Sequence, residues 1–208
     1  MDIDYIAIGD IHGMAATLER LLAHLPRTGM LVFLGDYIDR GPASRAAVDR
    51  LLELEREREC VFLRGNHEAM ALDALAGNAE MEETWYRNGG LQTLRTYDYR
   101  IPDDHQDFFR RTRPFFADER YIFVHGGLLP GYQPEEMDEY LLWWIREPFL
   151  SSSYDWGRLV IHGHTPVGSG RPEVRRNRIN LDTAAVFGGR LTALCLPERR
   201  FISVRAQG

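Results

Sequence analysis

The sequence predicts an α/β fold with a mainly parallel sheet and a small helical cap, and three observations support this class. Short apolar runs alternate with amphipathic helical segments through residues 5–75, which is typical of β-α-β units. Residues 77–116 break that rhythm with polar, aromatic-dotted helical pieces, and strand-like runs resume at residue 121. The chain of 208 residues is of the size of one large domain. We therefore expect a single domain, 1–208, with 77–116 as an inserted helical cap.

Apolar spacing locates the elements of the first half. In the helix predicted over residues 15–25, four leucines fall at helical spacing. The charged run 53–59 is interpreted as the solvated face of the second helix. The elements predicted here are strands at 5–9, 30–34 and 61–63, helices at 15–25 and 46–59, and a third helix beginning near His67.

Beyond the cap, the apolar runs become more closely spaced. Residues 121–124 and 159–161 continue the sheet as strongly apolar strands. Residues 179–181, 191–196 and 201–204 follow one another with short connections, so we expect them to pair as antiparallel strands.

The basic residues are unusual, because the chain contains 25 arginines and no lysine. The absence of lysine excludes Schiff-base catalysis, pyridoxal phosphate attachment and the G-K-[ST] phosphate loop. Arginine is a permanently charged fork that binds carboxylate or phosphate through two hydrogen bonds, although codon bias explains most of the 25. The net charge of −6 argues against binding of duplex nucleic acid.

The two cysteines, Cys60 and Cys195, lie in apolar, strand-like runs without a C-x-x-C pair. We expect core residues in a reducing compartment, not a disulfide or a zinc site. No signal peptide follows Met1, and no apolar run approaches the roughly 18 residues of a membrane helix. We therefore expect a cytoplasmic protein with no membrane partner, while the sequence does not indicate its oligomeric state.

Five of the predicted strands run directly into clusters of Gly, Asp, Asn or His residues. Ligands bind at the carboxyl ends of strands in an open α/β sheet, so these clusters are expected to meet at one edge. A single Gly-Asp turn means little, but this spacing repeated at five strand ends is not typical of loop composition. The clusters are G-D-I-H-G (9–13), G-D-Y-I-D-R-G (35–41), R-G-N-H-E (64–68), H-G-G (125–127) and H-G-H-T (162–165).

The donor types in these clusters indicate a metal centre. Carboxylate, amide and imidazole groups without thiolates suit Mn, Fe, Zn or Co. The donors are too many for one ion and fit two ions that share a carboxylate.

The combination of these five motifs resembles the phosphoprotein-phosphatase branch of the calcineurin-like metallophosphoesterases, especially the small bacterial and lambda-phage type of serine/threonine protein phosphatase. The resemblance continues through W-I-R-E (144–147) and L-D-T-A-A-V-F-G-G (181–189) and covers most of the chain outside the cap. It implies a β-sandwich with flanking helices, classed as α/β or in some schemes α+β, with the active site at the strand carboxyl ends. One departure is Ala184, where the family usually has glycine, which suggests a slightly different backbone path.

The resemblance also implies two divalent metal ions, with Mn²⁺ expected first and Fe, Zn, Co or Ni as alternatives. The implied ligands are Asp10 and His12 for one ion, Asp36 as the bridge, and Asn66, His125 and His164 for the other. His162 lies on the same side of an extended segment as His164, so geometry alone does not choose between them. The family's ligand directly precedes Thr, which makes His164 the ligand and His162 a supporting or packing residue.

By the same resemblance, a water or hydroxide activated by two metal ions would attack the phosphoester directly, without a covalent intermediate. His67 would donate a proton to the leaving group, and Asp39 would pair with His67 and set its tautomer. Asp39 could instead be only a turn residue. Arg40, Arg64 and Arg146 would bind phosphate oxygens.

The resemblance favours a phosphatase that acts on phosphoserine or phosphothreonine in proteins and on small phosphate esters. The alternative is a hydrolase of dinucleoside polyphosphates such as diadenosine tetraphosphate, because relatives with that activity share the core motifs. A phosphatase-like binding protein without activity is disfavoured, since every expected ligand and the acid are present. The cap aromatics could form a substrate wall, but most are expected to be the core of a small helical lobe. They are Trp85, Tyr86, Tyr97, Tyr99, Phe108, Phe109, Phe115 and Phe116.

Overall fold

Two five-stranded mixed sheets form the framework of the structure, a computed structural model that describes residues 3–207. The strands are β1 (Tyr5–Ile8), β2 (Met30–Phe33), β3 (Cys60–Phe62), β4 (Phe115–Ala117), β5 (Tyr121–Val124), β6 (Leu159–His162), β7 (Glu173–Val174), β8 (Arg178–Asn180), β9 (Arg190–Leu196) and β10 (Arg200–Arg205). The helices are α1 (Ala15–Leu22), α2 (Ser44–Glu57), α3 (Asn66–Leu75), α4 (Ala79–Trp85), α5 (Leu91–Thr96), α6 (Asp103–Arg111) and α7 (Glu139–Trp144), with a π-helical turn at Tyr86–Gly90 and 3₁₀ turns at Pro134–Glu136 and Ala185–Phe187.

The first sheet has the order β10-β9-β1-β2-β3 and contains the predicted β-α-β units. β1, β2 and β3 are parallel, with α1 and α2 as the connections, and these elements begin and end within three residues of their predicted bounds. β9 is antiparallel to both β1 and β10, so the predicted antiparallel pairing of the last two strands is confirmed.

The prediction for residues 179–181 is wrong in its pairing partner. The second sheet has the order β4-β5-β6-β8-β7, and β8 lies there parallel to β6, away from the C-terminal hairpin. β6 is buried along its whole length and pairs with β5 on one side, so its other edge needs a partner. The three residues Ile179, Asn180 and Leu181 carry no information about which of two sheets they join.

The space between the two sheets is filled by one apolar cluster. Ala7, Val32 and Leu34 from the first sheet and its edge pack with Phe123 and Ile161 from the second, and all five are fully buried. Helices α1, α2 and α3 cover the opposite face of the first sheet, while α7 and the loop after it cover the second. Burial on both faces holds the sheets at a constant relative position, which the site at their common rim requires.

The predicted cap comprises α4, the π-helical turn, α5 and α6, and its last residues belong to β4. Its buried aromatics do not form a separate lobe. The Phe108 ring centroid lies 5.0 Å from that of Phe62 and 5.6 Å from that of Tyr37, in the core of the first sheet. Tyr86 is half-buried and Tyr99 is 67% exposed. Four of the eight aromatics are buried, and they lie in the core of the first sheet, so the expected core of a helical lobe is wrong: they are Trp85, Tyr97, Phe108 and Phe109.

Three sequence predictions concern the thiols, the membrane and the compartment. Cys195 is buried and Cys60 is half-buried, and both are free thiols. Among residues 3–207, no helix is long and apolar enough to cross a membrane. Met1 lies outside the described residues, so the cytoplasmic location inferred from the start of the chain stays a prediction.

Ala184 has φ 61° and ψ 41°, the left-handed conformation that glycine adopts without a steric cost. Alanine thus stands in a conformation suited to glycine, while the altered backbone path suggested by the sequence stays a prediction. The surrounding turn enforces the left-handed conformation: the backbone N–H of Ala184 donates to Asp182 Oδ1 at 3.0 Å, and its carbonyl accepts from the N–H groups of Phe187 and Gly189.

Replacing Ala184 with glycine should raise the free energy of unfolding by about 0.5–1 kcal/mol. Left-handed backbone costs an L-residue about 1–2 kcal/mol, and the greater entropy of glycine in the unfolded chain offsets about 0.5–1 kcal/mol of that gain. Urea denaturation measures the difference. Ala46→Gly, at an exposed position of α2, is the matched control and should lower stability by about 0.5–1 kcal/mol. A loss of stability in A184G would show that the left-handed conformation of Ala184 is not a net cost to the folded protein.

Candidate active site

The predicted metal ligands lie at one rim of the sandwich, beyond the carboxyl ends of strands from both sheets. A direct hydrogen bond joins the sheets there, because Nδ1 of His125, after β5, donates to the carbonyl of Leu34, after β2, at 2.8 Å. The six side chains are at most 5% exposed: Asp10, His12, Asp36, Asn66, His125 and His164.

Two compact groups of donor atoms form at this rim, and Asp36 belongs to both. His12, Asp36 and His67 each place one donor atom within 4.8 Å of the others, as do Asp36, His125 and His164. A carboxylate common to two groups is the geometry that a pair of metal ions uses. These residues could therefore hold metal.

The donor atoms of the second group suit a cation. Oδ1 of Asn66 lies 3.0 Å from Nε2 of His125 and 3.0 Å from Nδ1 of His164, and Oδ1 of Asp36 lies 3.3 Å from the same Nε2 of His125. Since Nδ1 of His125 donates to Leu34, its Nε2 lone pair faces these oxygens. Lone pairs that face one another need a proton or a metal ion between them, and the residues present fit a divalent ion.

His12 is oriented by a backbone carbonyl in the same way. Its Nδ1 donates to the carbonyl of Ile38 at 2.9 Å, and its Nε2 lies 3.4 Å from Oδ2 of Asp36. Burial lowers the pKa of His12 to about 3, so the ring is neutral at physiological pH. A neutral imidazole with Nδ1 occupied presents Nε2 as a ligand.

Asp10 lies at the rim but outside both compact groups. The resemblance implies Asp10 as the partner of His12, whereas the group that contains His12 has His67 as its third member. The Asp10 carboxylate accepts the backbone N–H of His164 at 3.0 and 3.2 Å. Gly163 permits this approach, because a Cβ there would lie 2.0 Å from Asp10 Oδ1. Burial and the nearby carboxylate of Asp182 raise the pKa of Asp10 well above its usual range. Sequence reasoning missed Asp182, although it stands in the L-D-T motif.

The Asp39 carboxylate is completely buried and pairs with His67. Its Oδ2 lies 2.6 Å from Nδ1 of His67. The indole N–H of Trp85 donates to both carboxylate oxygens, at 3.0 and 2.8 Å, and the hydroxyl of Thr93 donates to Oδ1 at 2.6 Å. Because Trp85 and Thr93 belong to the cap, the cap holds the carboxylate that orients His67. Sequence reasoning missed this role; the available signal was W-x-x-N-G-G-x-x-T at 85–93.

Burial dominates the electrostatics of this pair. It raises the pKa of Asp39 well above its usual range and lowers the pKa of His67 to about 4, because an isolated charge is costly away from water. The hydrogen bonds from Thr93 and Trp85 oppose the rise by favouring the charged carboxylate. The contact between Oδ2 of Asp39 and Nδ1 of His67 at 2.6 Å therefore lies in surroundings that disfavour charge on either partner alone.

Glu68 braces the turn that carries Asp36, and sequence reasoning also missed it. Its buried carboxylate accepts the backbone N–H groups of Asp36 at 2.9 Å, Tyr37 at 2.8 Å and Gly65 at 3.0 Å. Gly65 lies so close that a Cβ would be 2.1 Å from Asp36 Oδ1. The R-G-N-H-E motif therefore positions Asp36 in addition to supplying Asn66.

The three arginines expected to bind phosphate lie in different surroundings. The Arg40 guanidinium contacts the ligand rim, with Nη1 2.7 Å from Nε2 of His12, and lies over the Phe187 ring at 5.7 Å. Arg64 donates from Nε to the Thr112 hydroxyl at 3.0 Å and from Nη2 to backbone carbonyls at the end of α6, so it fastens the cap to the ligand turn. Arg146 is exposed.

His162 is buried away from both donor groups. Arg178 Nη1 lies 3.2 Å from its Nε2, and its ring meets the Phe149 ring edge-on at 4.9 Å. The alternation that would bring His162 beside His164 ends at the strand terminus, because His164 has φ 66° and turns out of the extended conformation.

The two sheets with a buried Asp, Asn and His rim define a hydrolase of the metallophosphoesterase fold. Residues 3–189 match the family described as calcineurin-like phosphoesterase. The chain belongs to this family, which confirms the resemblance found in the motifs.

Similar curated proteins carry the name bis(5′-nucleosyl)-tetraphosphatase PrpE (asymmetrical). The one from Oceanobacillus iheyensis is 29% identical over 243 aligned positions, which cover 100% of this chain and 93% of that protein. The one from Anoxybacillus flavithermus is 28% identical, with 96% of this chain and 93% of that protein covered.

Solved structures with this fold include a crystal structure provisionally described as a diadenosine tetraphosphatase. It has a TM-score of 0.78 at 23% identity and covers 100% of this chain and 96% of its own. A protein serine/threonine phosphatase from Saccharomyces cerevisiae has a TM-score of 0.58 at 15% identity, covering 100% and 80%. Both likenesses establish the fold and not the substrate.

The named relatives overturn the expectation of a protein serine/threonine phosphatase. They align with this chain over nearly all of its length and are named for dinucleoside tetraphosphates. The expectation was wrong because the motifs behind it describe a rim of Asp, Asn and His donors, and such a rim does not by itself select the substrate.

Trp85→Phe should lower both turnover and the free energy of unfolding. The change keeps most of the buried ring but removes the N–H that Asp39 accepts, and a buried acceptor without its partner costs about 1–3 kcal/mol. Urea denaturation and the rate of p-nitrophenyl phosphate hydrolysis with Mn²⁺ measure the two effects.

Trp156→Phe is the matched control. Trp156 is also buried, and its indole N–H donates to the carbonyl of Leu129 at 3.3 Å, outside the site. This variant should lose stability without losing turnover. Equal turnover in W85F and W156F would contradict the positioning of Asp39 by the cap.

Proposed function

We propose that this chain is a metal-dependent hydrolase of dinucleoside polyphosphates of the diadenosine tetraphosphate type. The observation that carries the proposal is the pair of donor groups sharing Asp36, beside the His67–Asp39 pair, in a chain that aligns along its length with bis(5′-nucleosyl)-tetraphosphatases. The functional unit is the single domain 1–208, with residues 77–116 as its cap.

Six side chains would hold two divalent ions, Mn²⁺ first, with Fe, Zn, Co or Ni as alternatives. When bound, the ions would neutralise phosphate charge and increase the acidity of water. Asp10 and His12 would hold one ion, Asn66, His125 and His164 would hold the other, and Asp36 would bind both. The membership of Asp36 in both donor groups supports its bridging role, and burial at the same rim supports Asp10.

His67 donates a proton to the leaving group, and Asp39 holds the imidazole in position. The leaving group of a dinucleoside polyphosphate is a nucleotide phosphate, whose second pKa is about 6. An alkyl phosphate instead releases an alkoxide, which is far more basic and requires a proton as the bond breaks. The proton donor therefore matters less for the proposed substrate than for a simple alkyl ester.

Arginines hold the phosphate oxygens that the ions leave free. Contact with the rim at His12 supports this role for Arg40. Among the described residues, the hydrogen bonds of Arg64 use Nε and Nη2, which leaves Nη1 to bind a phosphate oxygen. Arg146, on the exposed loop after α7, would add a third donor. Guanidinium groups match phosphate through paired hydrogen bonds.

The purified protein with Mn²⁺ should hydrolyse diadenosine tetraphosphate to ATP and AMP, with a kcat/KM at least tenfold above that for a phosphoserine peptide, about 1.4 kcal/mol of discrimination. A chelator should abolish the activity and Mn²⁺ should restore it. Liquid chromatography of the products measures the reaction, with Asp36→Asn as the blank. Faster hydrolysis of the peptide would overturn the proposal.

His67→Asn should slow alkyl phosphomonoester hydrolysis by about 10²–10⁴-fold, the usual contribution of a general acid. Hydrolysis of diadenosine tetraphosphate should fall by less, because its leaving group is a weaker base. Steady-state rates on both substrates give the ratio. Equal losses would show that His67 acts on binding or metal retention instead, which metal analysis of the variant checks.

A further inference from the structure

A cleft with a volume of about 350 Å³ lies beside Arg40, between the cap and the 3₁₀ turn near the C-terminus. Tyr86, Asn88 and Gln92 of the cap form one side, and Phe187 forms the other. A second cavity of about 490 Å³ shares Arg40 and Gln92 with this cleft. We call these two neighbouring cavities the groove; Arg40, which lines both, also contacts His12 at the ligand rim.

The charge of this groove is opposite to that of the protein. Three arginines line it, Arg40, Arg87 and Arg95, and its lining contains no carboxylate, whereas the whole chain carries a net charge of −6. Arg87 pairs with the exposed Glu83, while Arg40 is directed at the rim. A groove of this sign attracts an anion longer than a single phosphate.

The solvent-exposed ring of Phe187 gives the cleft an aromatic surface. Its side chain is 63% exposed, although it lies over the Arg40 guanidinium at 5.7 Å. It stands on a 3₁₀ turn that left-handed residues, Ala184 and Gly188, bound on both sides. Tyr86 stands on the opposite side with its hydroxyl bonded to Glu82, so its ring is held. Flat rings flanking a basic groove are the usual means of binding a nucleobase.

The cap contributes polar groups that lie close to Arg40. A Cβ on Gly89 would lie 2.6 Å from the backbone nitrogen of Arg40, so the π-helical turn touches the phosphate-binding arginine directly. Nδ2 of Asn88 donates to the carbonyl of Thr84 at 2.8 Å, which leaves its Oδ1 for the cleft. This oxygen and the exposed amide of Gln92 can pair with the polar edge of a base.

We propose that this cleft binds one nucleoside of the substrate, with the base stacked on Phe187 and the adjoining phosphates on Arg40. The inference rests on the proposed function and names the part of the molecule that distinguishes a dinucleoside polyphosphate from other phosphoesters. It also explains why motifs of the rim do not reveal the substrate, since Phe187 and the 86–92 segment lie outside the donor groups.

A pair of non-hydrolysable probes tests the cleft apart from catalysis: α,β-methylene-ADP and methylenediphosphonate, which differ by the nucleoside. Titration calorimetry of the Mn-loaded protein should show tighter binding of the nucleotide by about 5- to 150-fold, the effect of one base–aromatic stack. Phe187→Ala should remove this preference. Phe187→Trp should retain it, because an indole also stacks.

Tyr132→Ala is the matched control, since Tyr132 is a comparably exposed aromatic, 51%, that does not line the groove. It should bind both probes as the wild type does. Retention of the nucleotide preference in F187A, or its absence in the wild type, would overturn the proposal that the cleft binds a nucleoside.

Hydrolysis assays on the same proteins separate this proposal from the proposed function. A Phe187-dependent preference for the nucleotide in a protein that does not cleave diadenosine tetraphosphate would support nucleoside binding in the cleft and refute the proposed hydrolase activity. Cleavage of diadenosine tetraphosphate with the same kcat/KM in F187A as in Y132A would support the hydrolase activity and refute nucleoside binding in the cleft.

Discussion

The carboxylate of Asp36 is the point on which the rest of the site depends. Among the described residues, it is the side chain common to the two donor groups. Its place is determined by the backbone rather than by its own side chain: φ is 53°, Glu68 accepts its N–H, and Gly65 leaves room for its oxygen. Because β2 and β3 bring these turns side by side, the distance between the groups follows from sheet geometry.

The same rim concentrates unfavourable backbone conformations. His12, Asp36, Asp39, Arg40 and His164 all have positive φ, which is costly for any residue with a side chain. The surrounding structure opposes relaxation, since the rim lies between two sheets whose facing residues are fully buried. The stability of the sandwich therefore maintains donor geometry that the local sequence would not adopt alone.

The sequence was sufficient to predict the first-sheet strands and the polar residues at their ends, because both are local patterns of a few residues. It did not reveal the partner of β8, since pairing depends on residues far away in the chain. Trp85 and Thr93 escaped notice because their contact with Asp39 spans 46 and 54 positions. The substrate class was mistaken because the five cluster motifs describe the donor residues of the rim. Phe187 stands in the L-D-T-A-A-V-F-G-G motif, but the sequence does not show that its ring faces the groove.

The contact between the cap and Asp39 constrains how this enzyme can diversify. Trp85 and Thr93 hold the carboxylate that pairs with His67, while the seven positions between them form the π-helical turn and the start of α5. Exchange of a whole cap for a foreign one would remove these contacts and disable the reaction. Variation confined to exposed positions such as Arg87 and Gln92 would leave the contacts of Trp85 and Thr93 with Asp39 in place, so new specificities are accessible by changing the residues between them.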